Sequence, residues 1–481
     1  MYKNKNKQYK LFIFLCYNIV GDNMEKKQYE ELLNILLSTG AEFAEIYYEE
    51  ASSKSYEYND SKLDSIKTGN TKGIGFRIIY NGDYFYSSSN NLDYENLKVM
   101  AERLSKNVIS NNNCIVVRLD ELENKTTNVK INHSEFPTSK KKSILSNINK
   151  LIRDKFAEIT QVYLRFIEND KIFTIANSKG KFVTSNAVRT RYICHTYAEK
   201  DGIKEDEYFA IGRRKGYDFL EDFDIELESL KVAESNVEKL SAVEFKGGEM
   251  PVVIGAGFGA VIFHEACGHG LEATSVAPGL SIFTGQIGNK VGTEKVTLID
   301  DGTIPDAWGS NTIDDEGELP RKNILIEKGI LKQYLVDIYS NIQMKTESNG
   351  CGKRESYEYA PTSRMSNTYL APGNDSLDDM IKSIKHGVYC KKLSGGQVNT
   401  TTGDFNFGVD AAYAIENGKI TKRIKGVTLI GNGKDILNEV EMVGSDLELG
   451  DGYCGSKSGM VPVTCGQPSI KISKILVGGK E

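Results

Sequence analysis

The residue pattern predicts an α+β fold: a mixed N-terminal part followed by a β-rich, barrel-like C-terminal part. Three observations carry this. Four segments repeat apolar residues at helical spacing, and all of them end by residue 240. Between them lie β-rich runs joined by short turns, the alternation of helices with antiparallel hairpins that marks α+β chains. After Gly247-Gly248 the texture changes to short strands punctuated by glycine, with one helix near the start.

In chain order, Leu32, Leu33, Ile35 and Leu36 give residues 26–38 one apolar face, and Gly40 ends that helix. Strands are predicted over 43–49, 54–58 and 73–80, the last turning through Asn81-Gly82 into 84–87, since this dipeptide between β-rich runs signals a hairpin. A helix over 93–109 and a polar loop over 110–113 follow. Residues 139–156 form the next helix, with Ile144, Ile148, Leu151 and Ile152 on one face. Strands over 162–167, 171–177, 181–184 and 189–198 precede a helix over 227–240. In the second half, strands are predicted at 250–254, 295–300, 323–327, 329–335, 369–370, 397–399, 404–407, 411–416, 418–424 and 426–430. The domains read as 24–240 and 241–481, preceded by an extension over 1–23.

That extension places Lys3, Lys5, Lys7 and Lys10 ahead of a short apolar stretch, without a small-residue cleavage site behind it. Met24 then reads as the natural first residue. Beyond it no apolar run approaches the roughly 18 residues needed to cross a bilayer. Sixty Lys+Arg against 66 Asp+Glu leave a net charge of −6, which argues against a nucleic-acid binder. Eight cysteines in 481 residues are too few for a disulfide scaffold, and none forms a C-x-x-C pair. They read as reduced thiols of a cytoplasmic protein.

Function concentrates at Phe263-His264-Glu265-Ala266-Cys267-Gly268-His269-Gly270-Leu271-Glu272, which holds two of only five histidines. A five-residue gap on a regular helix leaves the rings about 140° apart. A π-type turn would bring both onto one face, and Gly268 eases such a distortion. Zinc catalysis needs three protein ligands and an open position; the metal activates a water and polarises a carbonyl. Glu265 beside a ligand suits the proton transfer. Spacing leaves the third ligand open among Glu272, Cys454, Cys465 and His195, with Cys267 pointing elsewhere.

Three other segments compete. Gly255-Ala256-Gly257-Phe258-Gly259-Ala260 after a strand resembles a dinucleotide fingerprint, but no acidic residue lies in 274–282, where a second strand should end. Close backbone packing explains those glycines more simply. Asp314-Asp315-Glu316-Gly317 is dense enough in carboxylates to suggest a hard cation, yet lacks EF-hand spacing and reads as solvated turn acids. Arg364 and Asn367 have the chemistry to hold a peptide's carbonyls, or equally to make structural contacts.

The His264–Glu272 segment resembles the TldD/PmbA family of metallopeptidases. Collinear stretches strengthen the resemblance: Ile299-Asp300-Asp301-Gly302-Thr303, Asp314-Asp315-Glu316-Gly317, Gly352-Lys353-Arg354-Glu355-Ser356 and Arg364-Met365-Ser366-Asn367-Thr368. Gly403-Asp404-Phe405-Asn406-Phe407, Ile415-Glu416-Asn417-Gly418-Lys419 and Tyr453-Cys454-Gly455 continue it to the C-terminus. The resemblance implies an HExxxH zinc site with His264, His269 and Cys454 as ligands, Glu265 as catalytic acid/base and Glu272 in a supporting role. It also implies a catalytic member of the family, acting on short or unfolded peptides and paired with itself or with an inactive PmbA/TldE-type relative. One departure is Ala273-Thr274, where many relatives have glycine and then an acid.

The sequence therefore predicts a zinc metallopeptidase, with the substrate held by strand addition at a sheet edge. Neither direct nucleic-acid binding nor membrane attachment is expected. The rival is a regulatory interaction protein of the DNA gyrase modulator type with a structural zinc. Three evident ligands rather than four favour the enzyme.

Overall fold

The structure, a computed structural model, describes residues 24–109, 117–124, 126–127, 129–257, 259 and 261–479. The extension 1–23, the loop at 110–113, and Phe258 and Ala260 of the glycine-rich turn lie outside the described residues.

The N-terminal half is built on one seven-stranded sheet. Its strands are β1 (Phe43–Asn59), β2 (Lys62–Tyr80), β3 (Asp83–Ser89), β4 (Asp120–Glu121), β5 (Ile159–Asn177), β6 (Lys181–Lys200) and β7 (Ile203–Arg213). The order is β3-β2-β1-β5-β6, with β4 and β7 both pairing β6. The Asn81-Gly82 hairpin is present: Tyr80 pairs Asp83, and both turn residues have positive φ, 50° and 82°. Strands predicted as separate pieces merge here. Residues 168–170 and 185–188, read as breaks, pair across β5 and β6.

Period-2 alternation on β1 sets the architecture. Ile46, Tyr48, Tyr56 and Tyr58 face two cores, one under the helices Lys26–Leu37 and Tyr94–Ser105, the other under Thr138–Lys155 and Ile225–Lys239. The third of these helices is turned slightly from the expected face: Leu145 is buried while Leu151 is 41% exposed. At the start of β1 the odd-numbered residues Phe43, Glu45 and Tyr47 face the C-terminal half. Tyr47 packs with Ile313 and Tyr357, and Phe43 with Ile338. On this same face Glu45 accepts from Arg77 at 2.9 Å and also from Arg354, and Arg77 donates to Glu316 at 2.6 Å. All four side chains are at most 1% exposed. A buried ionic network thus joins the two halves.

The C-terminal half contains β8 (Val243–Glu244), β9 (Gly248–Ile254), β10 (Leu298–Asp301), β11 (Lys322–Glu327), β12 (Ile330–Leu331), β13 (Gly352–Lys353), β14 (Thr362–Ser363) and β15 (Asn367–Leu370). It continues through β16 (His386–Val398), β17 (Asp404–Glu416), β18 (Lys419–Lys425), β19 (Thr428–Asn432), β20 (Val440–Val443), β21 (Glu448–Ser456), β22 (Gly459–Gln467) and β23 (Ile470–Gly478). Strands β16-β9-β23-β19-β17 pair in that order and β17 returns to β16, closing a five-stranded barrel. Against it lies a six-stranded sheet, β12-β11-β10-β15-β22-β21. No strand was predicted over 440–478, where four are found. Glycines and charges at 444–459 mask the alternation there, and partner strands supply the order that local propensity does not.

The two halves meet around β21. Asp451 accepts from Gly212 N at 2.9 Å and pairs with Arg191 at 3.0 Å, while within the C-terminal half Trp308 Nε1 donates to Gly452 O at 2.9 Å. The N-terminal sheet thereby steadies the strand that carries Cys454.

Candidate metal centre

The histidine segment leaves β9 through the glycine-rich turn. A side chain on Gly255 would sit 2.9 Å from Lys391 O, and one on Gly259 2.8 Å from Ile254, so these glycines serve close packing. One helical turn, Val261–Phe263, is followed by a π-helical turn, His264–Gly268. His269 N donates to His264 O, the i→i+5 bond that the five-residue spacing requires. Gly268 also lets a neighbour from outside the turn pack closely: a Cβ there would meet the end of the Met365 side chain, with Sδ at 2.1 Å, and would require it to shift. The widened turn puts both imidazoles on one side, ring centres 5.0 Å apart and nearly perpendicular at 84°.

Cys454, on the outermost strand of its sheet, reaches the same point from 190 residues away. Its Sγ lies 3.3 Å from His264 Nε2 and 3.1 Å from His269 Nε2. The three donor atoms fall within 4.8 Å of one another. Tetrahedral zinc with bonds of about 2.0–2.3 Å holds its ligand atoms about 3.3–3.6 Å apart, so this donor set fits zinc in chemistry and in spacing. Glu265 stands beside the group, its carboxylate 3.6 Å from His269 Nε2 and its side chain 21% exposed.

The electrostatics are uneven. Burial, reinforced by the positive neighbours His269, Arg364 and Lys353, holds His264 well below the usual imidazole range. Burial also opposes charge on His269, but Glu272 and Cys454 outweigh it and raise its pKa well above normal. Burial pushes the Glu265 carboxyl up, with His269 and Arg364 opposing and Glu272 adding to the shift.

The other candidates lie apart. Cys267 points to Gly433 O, 3.9 Å away. His195 pairs with Asp206 at 2.8 Å on the N-terminal sheet. Cys465 is buried and outside the donor group. Glu272 approaches the back of the ring, accepting from His269 Nδ1 at 3.0 Å. Arg364 is 0% exposed and donates to Cys454 O at 2.6 Å and to Ser458 and Gly459 at 3.1 Å. It holds the chain's own carbonyls rather than a peptide's. Asn367 likewise donates to Asp301 O at 2.6 Å. Lys353, which the sequence reading named only within a family stretch and gave no role, is buried, donates to Gly309 O at 2.9 Å, and burial lowers its amine to about 8.

An α+β chain that closes a barrel beside two imidazoles and a thiol aimed at one point has the build of a metalloprotein. Comparison narrows the class. Residues 44–108 match PmbA/TldA metallopeptidase domain 1, residues 131–242 the central domain and residues 247–479 the C-terminal domain. The chain belongs to the PmbA/TldD metallopeptidase family. It is 33% identical to a protein of Buchnera aphidicola named metalloprotease TldD homolog, over 93% of this chain and 95% of that one. It is 25% identical to one of Saccharolobus solfataricus named zinc metalloprotease TldD homolog, over 92% and 97%. Two solved structures share the fold. TldE of Thermococcus kodakarensis has a TM-score of 0.72 at 21% identity, covering 94% of this chain and all of that one. A Thermotoga maritima protein described as a candidate modulator of a DNA gyrase reaches 0.76 at 19%, with the same coverages.

Proposed function

We propose that the chain is a zinc peptidase, hydrolysing peptide bonds in short or unfolded polypeptides. His264, His269 and Cys454 hold the metal and Glu265 is the catalytic acid/base. The observation that carries this reading is the convergence of His264 Nε2, His269 Nε2 and Cys454 Sγ beside a carboxylate that keeps some exposure. Bound zinc supplies a Lewis acid that polarises the scissile carbonyl and lowers the pKa of a water to roughly 7. Glu265 accepts the proton of the attacking water and returns it to the leaving amine. Its raised pKa suits the second half of that task. A metal would take the place of the proton on His269 Nε2, leaving Nδ1–H on Glu272.

The sequence-based expectation of strand addition meets an obstacle at β21. The carbonyls of Gly452 and Cys454 accept from Trp308 and Arg364, so a substrate strand would pair along another edge. Domains 24–240 and 241–481, a cytoplasmic location, and a dimer with itself or with a TldE-type relative complete the proposal. The six described cysteines are free thiols. No helix among the described residues is long and apolar enough to cross a membrane. The rival structural-zinc reading calls for a fourth protein ligand; among the described residues the donor group has three members.

The test compares an unstructured peptide's cleavage by the native chain and by Glu265→Ala, both zinc-loaded, each alone and co-expressed with a TldE-type relative. Loss of about 10²–10⁴ in rate is expected for the variant. Equal cleavage would remove Glu265 from the chemistry. Absence of cleavage by both, in every pairing, would favour the interaction role.

A further inference from the structure

The two histidines are supported unequally. His264 Nδ1 is buried without a hydrogen-bond partner, whereas His269 Nδ1 donates to Glu272. Glu272 is 4% exposed, and its position follows from the backbone. The chain turns extended at this residue, with φ −73° and ψ 126°, and bridges Leu335, which folds the carboxylate back behind the ring. Its second oxygen, Oε1, has no hydrogen-bond partner and lies 3.7 Å from Arg364 Nε, which also has none. The remaining nitrogens of Arg364 are committed to Cys454 O and to the Ser458–Gly459 turn behind it. Thr274 and Ser363 pin the two segments together, Thr274 N donating to Ser363 Oγ at 2.8 Å and Ser363 N to Thr274 Oγ1 at 3.1 Å.

We propose that Glu272 and Arg364 are positioning residues forming an ion-paired circuit that links two of the three metal ligands, through His269, Glu272, Arg364 and the backbone of Cys454 to its thiol. The proposal rests on the zinc reading above. Glu272 fixes the ring rotation and the tautomer of His269, with hydrogen on Nδ1 and Nε2 presented to the thiol. Arg364 transmits the position of that carboxylate to β21, so helix-borne and strand-borne ligands keep their separation when the site is empty. At 3.7 Å, Glu272 Oε1 and Arg364 Nε form an ion pair, and a movement of less than about 1 Å would bring them to hydrogen-bonding distance. The electrostatic part also has a direction: a carboxylate behind an imidazole raises its basicity toward a cation.

Zinc affinity, measured by competition with a chromophoric chelator, tests this directly. Glu272→Gln keeps an acceptor for Nδ1–H but loses the charge, and Arg364→Lys keeps a charge but loses the fork. Each is expected to bind zinc about 10–100-fold more weakly than the native chain. The cobalt-substituted variants should keep the thiolate-to-metal absorption band, shifted in position, because Cys454 is displaced but not removed. Native zinc affinity with an unshifted cobalt spectrum in Glu272→Gln would overturn the circuit. Should Glu272→Gln not fold, Glu272→Asp carries the same expectation, since its shorter side chain cannot span ring and guanidinium together. The zinc reading fails separately, if the native chain binds no zinc or if His264→Ala binds it as tightly as the native chain does; either result overturns the circuit as well.

Discussion

Two buried clusters of ionisable side chains lie in the C-terminal half and use their groups in opposite ways. Around Asp314 the carboxylates are occupied. Asp314 accepts from the amides of Glu316, Glu318 and Gly352 at 2.8–2.9 Å, and Asp315 from Arg354 N at 2.8 Å. Glu316 accepts from Arg77 at 2.6 Å and Ile338 N at 2.8 Å. Burial raises the pKa of both Asp314 and Glu316, and the bonds they accept are what hold them in place. Around His264 the reverse holds: two ring nitrogens and a thiol face one another, with their other contacts arranged behind them. Density of ligand-type residues thus says less about a metal site than which donors the fold leaves convergent. The dense acidic run, expected to be solvated, is instead buried, with Asp314, Asp315 and Glu316 at most 6% exposed, because it forms a structural joint between the halves. The sparse trio is the candidate centre.

The largest effect should come from deleting a convergent donor. Cys454→Ala is expected to weaken zinc binding beyond the about 10–100-fold that outer partners are worth, with the zinc content of the dialysed protein as readout. Asp314→Asn should leave that content unchanged, and a loss there would erase the distinction between the clusters. Next comes the joint itself. Glu316→Ala leaves the buried Arg77 guanidinium, whose Nε and Nη1 already lack partners, with only Glu45, a carboxylate it shares with Arg354. A cost of about 3–5 kcal/mol in denaturant unfolding is expected, without change in zinc per folded chain. A smaller, pH-dependent effect sharpens the account of buried carboxylates. Asp300, 1% exposed, has its carboxyl raised by burial from 3.8 to about 6, against the pull of Lys353, Ser366 N and Thr368. Between those pH values the folded chain keeps a proton that the unfolded chain has lost. The contribution to stability is therefore complete below pH 3.8 and is lost as pH rises through about 6. Asp300→Asn mimics the protonated form and should gain up to about 3 kcal/mol over the native chain between pH 4 and 7. Melting curves that stay parallel across that range would contradict it.

Much of the N-terminal half was legible in the sequence because its signals are local. The helix Lys26–Leu37 and the Asn81-Gly82 turn follow from side-chain spacing and from φ preferences. The spacing of His264 and His269 also carried its own geometric demand, a widened turn, and the structure contains one. The strands β20 to β23 carried no comparable signal. β21, with its three glycines, reads as loop until β22 pairs with it.

What the sequence by itself determined is the composition of the site: an imidazole pair at a spacing that admits one face, a carboxylate next to it, and a glycine that eases the widened turn. Family resemblance, not spacing, singled out Cys454. Only the tertiary structure decided how that thiol reaches the histidines, why Glu272 stands behind a ring instead of joining the donors, and why Arg364 faces inward. The reason is range. Dihedral and periodic preferences act over a few residues, whereas the meeting of residues 190 positions apart depends on sheet pairing and on packing between the two halves.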